Sequence, residues 1–431
     1  VIDSAGSIDS IIAGGSIRNA INAAGSVTEI LAGFIAKRPA SEALKVSEAV
    51  DMTRVEKALE AAADPVGALE LYKPRKARLA VSADPNANIE ADIYVSGNLD
   101  YLGAAGSITG SAEVTVTSQL LEVHARGDIE ATFVRSAGPL KISAWGAIDS
   151  DIQTTAGAAG AGDITVLAYG DIGGKITAQN GDVTAESWSR IVGQIQARHD
   201  ITVWSFGNNE AQEIHSTASG QLTTQISVTT WGELDATILS DADYASSDDP
   251  ANDAANVDLT VHGEITGGRV DGAFVKVFSA GVIGAVTLAP RDRLDVFARG
   301  RDDAGTLVSI DGALLAEDDV SRSITITAWG DIVLGNAFKA RSFFIQTQGD
   351  LTGGELIGTG GSSNVIAHAK NVAGTVISAN DISIDVVRDI TSDVRVEAAY
   401  KVEIVAGRDV DGEVNTSQAD RPLSGTGGQG T

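Results

Sequence analysis

The sequence predicts an all-β chain, a right-handed parallel β-solenoid of about 18 to 20 residues per coil. Three observations predict it. A unit of alternating apolar residues, a glycine-aspartate turn and a second apolar pair recurs along most of the 431 residues. The turn residues stand at matching offsets in successive units. The composition, 48 Gly with only 5% aromatic residues and an apolar set drawn mainly from Ile, Val, Leu and Ala, suits thin layers stacked on one another.

From Ile164 the chain reads ITVLAYGDIGGKITAQNGD, then VTAESWSRIVGQIQARHD, then ITVWSFGN. The same frame recurs at Leu121, Leu140, Ile226, Leu259, Val275, Leu294, Ile324, Phe343, Ile382 and Val402. Successive strand residues point to opposite faces, so Ile164, Val166 and Ala168 turn inward while Thr165, Leu167 and Tyr169 turn out. Equivalent inward triplets are Ile324/Ile326/Ala328, Leu294/Val296/Ala298 and Val402/Ile404/Ala406. Past the turn, Ile172/Ile176, Ile191/Ile195, Ile390/Val394 and Val410/Val414 repeat the second apolar pair. The turns carry Gly170–Asp171, Gly181–Asp182, Gly330–Asp331 and Gly349–Asp350. Their glycines are expected to supply positive φ, and their aspartates to bond a neighbouring backbone amide. Roughly fifteen such layers, about 4.8 Å apart, make a rod on the order of 70 Å long.

The N-terminal segment 1–36 has the same grammar in shorter units, with Ile8/Ile12, Ile17/Ile21 and Val27/Leu31 as apolar pairs. Residues 37–77 break it. Val46, Ala49, Met52, Val55, Leu59 and Ala62 fall at three-to-four spacing and Asp64–Pro65 follows, which predicts an amphipathic helix over 41–63 in a helical insertion. The main solenoid is expected over 78–414, and 415–431 reads as a flexible Gly/Ser-rich tail.

These units, above all ITVLAYGDIGGKITAQNGDV, resemble the Gly-rich repeats of filamentous-haemagglutinin-type proteins and related giant bacterial surface proteins. The resemblance spans roughly Asn88 to Asn415 plus the N-terminal repeats. It implies secretion, an extracellular place on the bacterial cell surface, and a β-helical shaft used in adhesion or in surface fibres. The helical insertion departs from a plain shaft. With repeats running to both ends, head-to-tail or lateral self-association is the expected partnership, with cell-surface glycans as the other candidate.

Charge narrows the partners further. A formal charge of −27, from 58 acidic and 31 basic residues, repels nucleic acid and anionic membranes. No Cys is present, which removes disulfides and thiolate metal sites, and no apolar run has the length of a transmembrane segment.

No catalytic site is expected. Asp149 and Asp151 share a coil and Asp163 and Asp182 lie in turns, with no basic partner at matching slots. His124, His262 and His368 fall at one outward position in non-adjacent coils. The competing class is a carbohydrate-binding or polysaccharide-degrading β-helix protein. The insertion SDADYASSDDPANDAANVD offers Asp241, Asp243, Asp248, Asp249, Asp253 and Asp258, an oxygen-rich set suited to calcium (Ca2+), although its spacing fits neither an EF-hand nor the nonapeptide calcium repeat. A solvated loop is the preferred reading. Arg126–Gly127–Asp128 spells a cell-attachment tripeptide, but its Gly-Asp belongs to the repeat.

The candidate interaction stripe is aromatic. Aligned by their turns, Trp145, Tyr169, Trp188, Phe206 and Trp231 occupy one slot in five consecutive coils, and Trp329 fills it again. Their parity makes them outward-facing. Such a column suits sugar stacking, docking of a neighbouring rod, or burial under another part of the same chain.

Overall fold

The computed structural model describes residues 1–35, 81–82, 84–110, 112–157, 161–218, 224–242, 256–300, 308–315 and 320–416. These form a parallel β-solenoid of about 17 turns. One antiparallel pair, Phe34–Ile35 with Val81–Ser82, stands outside the main sheet. No helix occurs among the described residues, and the helix expected over 41–63 lies outside them.

Each coil has three sides. A first strand, such as Ile164–Ala168, pairs in parallel with its equivalents Leu140–Ala144 below and Val183–Ser187 above. A second strand, such as Lys175–Ala178, pairs with Asp151–Thr154 and Gln194–Ala197. Between them a single residue forms the third ladder: Ile17, Ile89, Ile108, Ile129, Ile148, Ile172, Ile191, Asn209 and Leu234 bridge in turn, and the column runs on to Val410. Stacking gives every rung its hydrogen-bond partners in the next, so one core runs the length of the rod. The ladder also crosses the insertion without a break, since Ile21 pairs with Ile93 and Val27 with Leu99.

The inward triplets are where alternation puts them. Ile164, Val166 and Ala168 are buried, as are Leu294, Val296 and Ala298. Small third positions mark the corner, and where these are polar their hydroxyls bond turn carbonyls: Ser187 donates to Gly170 O at 2.9 Å and Thr230 to Gly207 O at 2.9 Å. In the last described rung Val410 and Val414 are exposed.

Three expectations need correction. Strands Ile8–Ala13, Val27–Ala32, Leu99–Ala104 and Leu120–Ala125 have six residues, and their inward set is the first, fourth and sixth. Ile11 and Ile30 therefore face the core in place of Ile12 and Leu31, and Leu120 in place of Leu121. One extra residue reverses the parity behind it; because neighbouring rungs share it, the register survives. The turn glycines are not there for positive φ, since Gly146, Gly170, Gly181 and Gly349 all lack it. A Cβ on Gly170 would lie 2.6 Å from Ala147 N and 2.7 Å from Gly146 C, the backbone of the rung below. Close approach of rung to rung is what requires glycine. Third, His262 lies one outward position beyond the column shared by His124 and His368, because Val261 pairs with Thr230 and so aligns His262 with Trp231.

Candidate functional site: the outer face of the first sheet

Outward residues of the first strand form three columns, and the aromatic stripe is the one beside the turn. Ring centroids of Trp145 and Tyr169 lie 6.1 Å apart, Tyr169 and Trp188 5.7 Å, Trp188 and Phe206 4.5 Å, and Phe206 and Trp231 6.0 Å. His262 extends the stack at 4.0 Å from Trp231 with planes 13° apart. Three of these pairs, Tyr169–Trp188, Phe206–Trp231 and Trp231–His262, have planes within 27° of parallel. Rings that climb the rod one per rung, nearly parallel, turn their faces on each other. Their edges and the outermost rings face solvent: Trp145 is 44% and Trp329 45% exposed, while the rings between are half-buried. None belongs to the core.

The middle column adds rings that the slot alignment misses. Trp204 stands between Trp188 and Phe206, with centroids at 6.0 and 4.1 Å. Farther along, Phe278 and Phe297 stack at 5.6 Å with planes 8° apart, and the Arg299 guanidinium lies 5.6, 5.7 and 5.0 Å from the rings of Phe278, Phe297 and Trp329. Their parity, two residues before the slot, was the available signal. All five Trp of the chain, residues 145, 188, 204, 231 and 329, thus lie on one sheet face. The indole N–H groups of Trp188 and Trp231 are covered and meet no acceptor among the described residues.

Next to the stripe, His124 Nδ1 lies 2.9 Å from Ser143 Oγ. Burial, and then the Arg126 charge, lower the His124 pKa to about 4, so the imidazole is neutral near pH 7. Burial also holds the Tyr101 phenol well above its ordinary range, with Glu122 adding to the effect. Among the described residues no third side chain hydrogen-bonds the His124 ring to orient it toward Ser143, and both lie on the outer sheet face.

The turn aspartates act between rungs. Asp128 Oδ1 accepts from Ala147 N at 2.8 Å, Asp163 Oδ1 from Asp182 N at 3.0 Å, Asp182 Oδ1 from Asp200 N at 3.1 Å, and Asp200 Oδ1 from Gln225 N at 2.8 Å. Asp151 Oδ1 accepts from Lys175 N at 3.2 Å in the same way. These carboxylates bind the next layer's backbone. Asp128 of the Arg-Gly-Asp tripeptide is one of them. Burial pushes Asp171 up, but hydrogen bonds from Ser189 and Arg190 outweigh it and hold the carboxyl below its usual range. Asp182 is shifted the other way, by burial first and then by Asp163 and Asp200.

The acidic insertion is described only at its edges, and Asp243, Asp248, Asp249 and Asp253 lie outside the described residues. Asp241 sits 3.0 Å from His215 Nε2 and Asp258 3.6 Å from Lys276 Nζ. Among the described residues no group of three or more His, Cys, Asp or Glu is placed to hold a metal ion, and no helix is long and apolar enough to cross a membrane.

Comparison with family models, with curated proteins and with solved structures gives no match to this chain.

Proposed function

We propose that the chain is a rigid shaft of a bacterial cell-surface protein, extracellular and non-enzymatic, built to hold adhesive or fibre-forming parts away from the surface. The right-handed hand follows the general rule for parallel crossovers. One observation carries the reading: about 17 rungs share an unbroken parallel ladder, and at several turns an aspartate side chain ties one rung to the next. Bending such a rod must stretch the interlayer hydrogen bonds along its convex side. Its described length is on the order of 80 Å at about 4.8 Å per rung.

Head-to-tail contact belongs to the proposal. The outermost described rungs expose Ile2 at one end and Val410 and Val414 at the other, apolar residues that a further rung, from this chain or another copy, would cover. The carbohydrate reading has less support, because sugars stack on open ring faces and most faces here are turned to a neighbouring ring.

The test is labelling of intact source cells with antibody to the shaft, together with electron microscopy of the purified chain. Surface label and straight rods of about 80 Å or more support the proposal. Label confined to the cell interior, or compact round particles, overturns it. Release of soluble product from an acidic polysaccharide, lost on Asp182→Asn, would also overturn it.

A further inference from the structure

The outer face of the first sheet differs from the rest of the surface in charge as well as in aromatic content. Nine rungs, from Lys141–Trp145 to Thr325–Trp329, place three residues each on it. Lys141, Lys276 and Arg299 balance Glu186, Asp258 and Asp295, so the face is neutral on a chain of net charge −27. Thr165, Thr184, Thr202, Ser227, Thr229, Thr260, Thr325 and Thr327 fill much of the remainder with short uncharged side chains.

We propose that this face, resting on the shaft reading above, is where a second copy of the same chain packs laterally. Two rods of like charge repel each other everywhere except where both are neutral, and this face is self-complementary in that sense. Its corrugation repeats once per rung, roughly every 4.8 Å, and an identical rod presents the same spacing. Rungs of one copy can then seat between rungs of the other along the whole face, with ring edges and hydroxyls meeting as in stacked sheets. Eight rung spacings and a strand span of roughly 13 Å give a footprint of about 500 Å² per copy. The pair then buries about 1,000 Å², the lower bound for a specific interface. The association is accordingly weak and reversible.

Sedimentation velocity of the full chain over a range of concentrations, at low and high NaCl, tests this alongside intrinsic tryptophan emission. The dimer fraction is expected to rise with concentration and also with salt, since screening removes the repulsion between two acidic rods. Emission is expected to shift to the blue in step, because every Trp lies on this face. The double variant Trp145→Glu/Trp329→Glu alters two exposed rings and is expected to stay monomeric with an unchanged melting profile. A single monomeric species under all conditions overturns the proposal. So does an equally stable dimer of the double variant, or an emission shift produced only when a soluble polysaccharide is added to monomers. The frictional ratio of the monomer separately reports whether the chain is a rod, so failure of the pairing leaves the shaft reading standing or falling on its own result.

Discussion

Replacing Gly170 by Ala isolates the contact that sets the distance between rungs. The added methyl would lie 2.6 Å from Ala147 N, 2.7 Å from Gly146 C and 2.9 Å from Ala147 Cα, all of them backbone. Ordinary contact requires the turn to open by about 0.8 Å. That movement breaks the bond from Gly170 N to Gly146 O, now 2.9 Å long. Overpacking of this kind costs about 1–3 kcal/mol and the lost hydrogen bond about 1 more, for a total of roughly 2–4 kcal/mol. Gly6 occupies a turn in the first rung, has no positive φ, and would place its Cβ with nothing within 4 Å. Gly6→Ala should therefore be neutral, or stabilising by about 0.5 kcal/mol through the unfolded chain. Long repeats lose all-or-none unfolding, so the readout is hydrogen exchange on peptides covering 140–187, with urea melts in parallel. Faster exchange in Gly170→Ala, confined to the flanking rungs and absent from Gly6→Ala, is the expected result. Equal behaviour of the two variants would refute the argument.

Other perturbations follow from the same geometry. Trp188→Ala removes ring contacts to Tyr169, Trp204 and Phe206 and should cost about 2–3 kcal/mol, against under about 1 kcal/mol for Trp145→Ala, as read from melting temperatures. Asn209 is fully buried in an aliphatic column, where its Oδ1 accepts from Ala211 N at 3.2 Å; Asn209→Leu strands that buried N–H and should lower stability by about 1–3 kcal/mol in urea melts, and a gain would show that the amide is dispensable. His124 has a folded pKa of about 4 against an ordinary 6.5, so the unfolded chain takes up its proton first. Its contribution is whole above pH 6.5 and is lost as pH falls toward 4, by about 2–3 kcal/mol; His124→Gln should flatten the stability profile over that window.

Much of this rod is legible in the sequence because two periods coincide, the strand alternation and the coil length. Ile164/Val166/Ala168 and Ile172/Ile176 needed no more than that. Parity fails where a strand has six residues: the extra residue in Val27–Ala32 leaves Val27 inward but exchanges Leu31 for Ile30, and nothing local in VTEILA announces it. The aromatic slot is visible from its offset to the turn, whereas Trp204, Phe278 and Phe297 lie two residues earlier, in a column shared with Glu186, Thr229 and Thr260 that carries no aromatic period of its own. The Gly-Asp turns were recognised as turns, but their reason lies between layers: the glycine admits the backbone below, and the aspartate reaches the amide above. Spacing along one chain does not reveal a contact made across a 19-residue return.

The central claim is that axial distance grows in proportion to the number of rungs. The chain has no Cys, so spin labels can be placed singly at will. Lys141, Lys276 and Glu403 are exposed and share one outward column, six rungs apart and then six more. Pulsed electron-spin distance measurements on cysteine pairs at 141/276 and 141/403 should give narrow distributions near 29 and 58 Å, from roughly 4.8 Å per rung. Distances out of that two-to-one proportion, or broad distributions, would contradict the continuous stack.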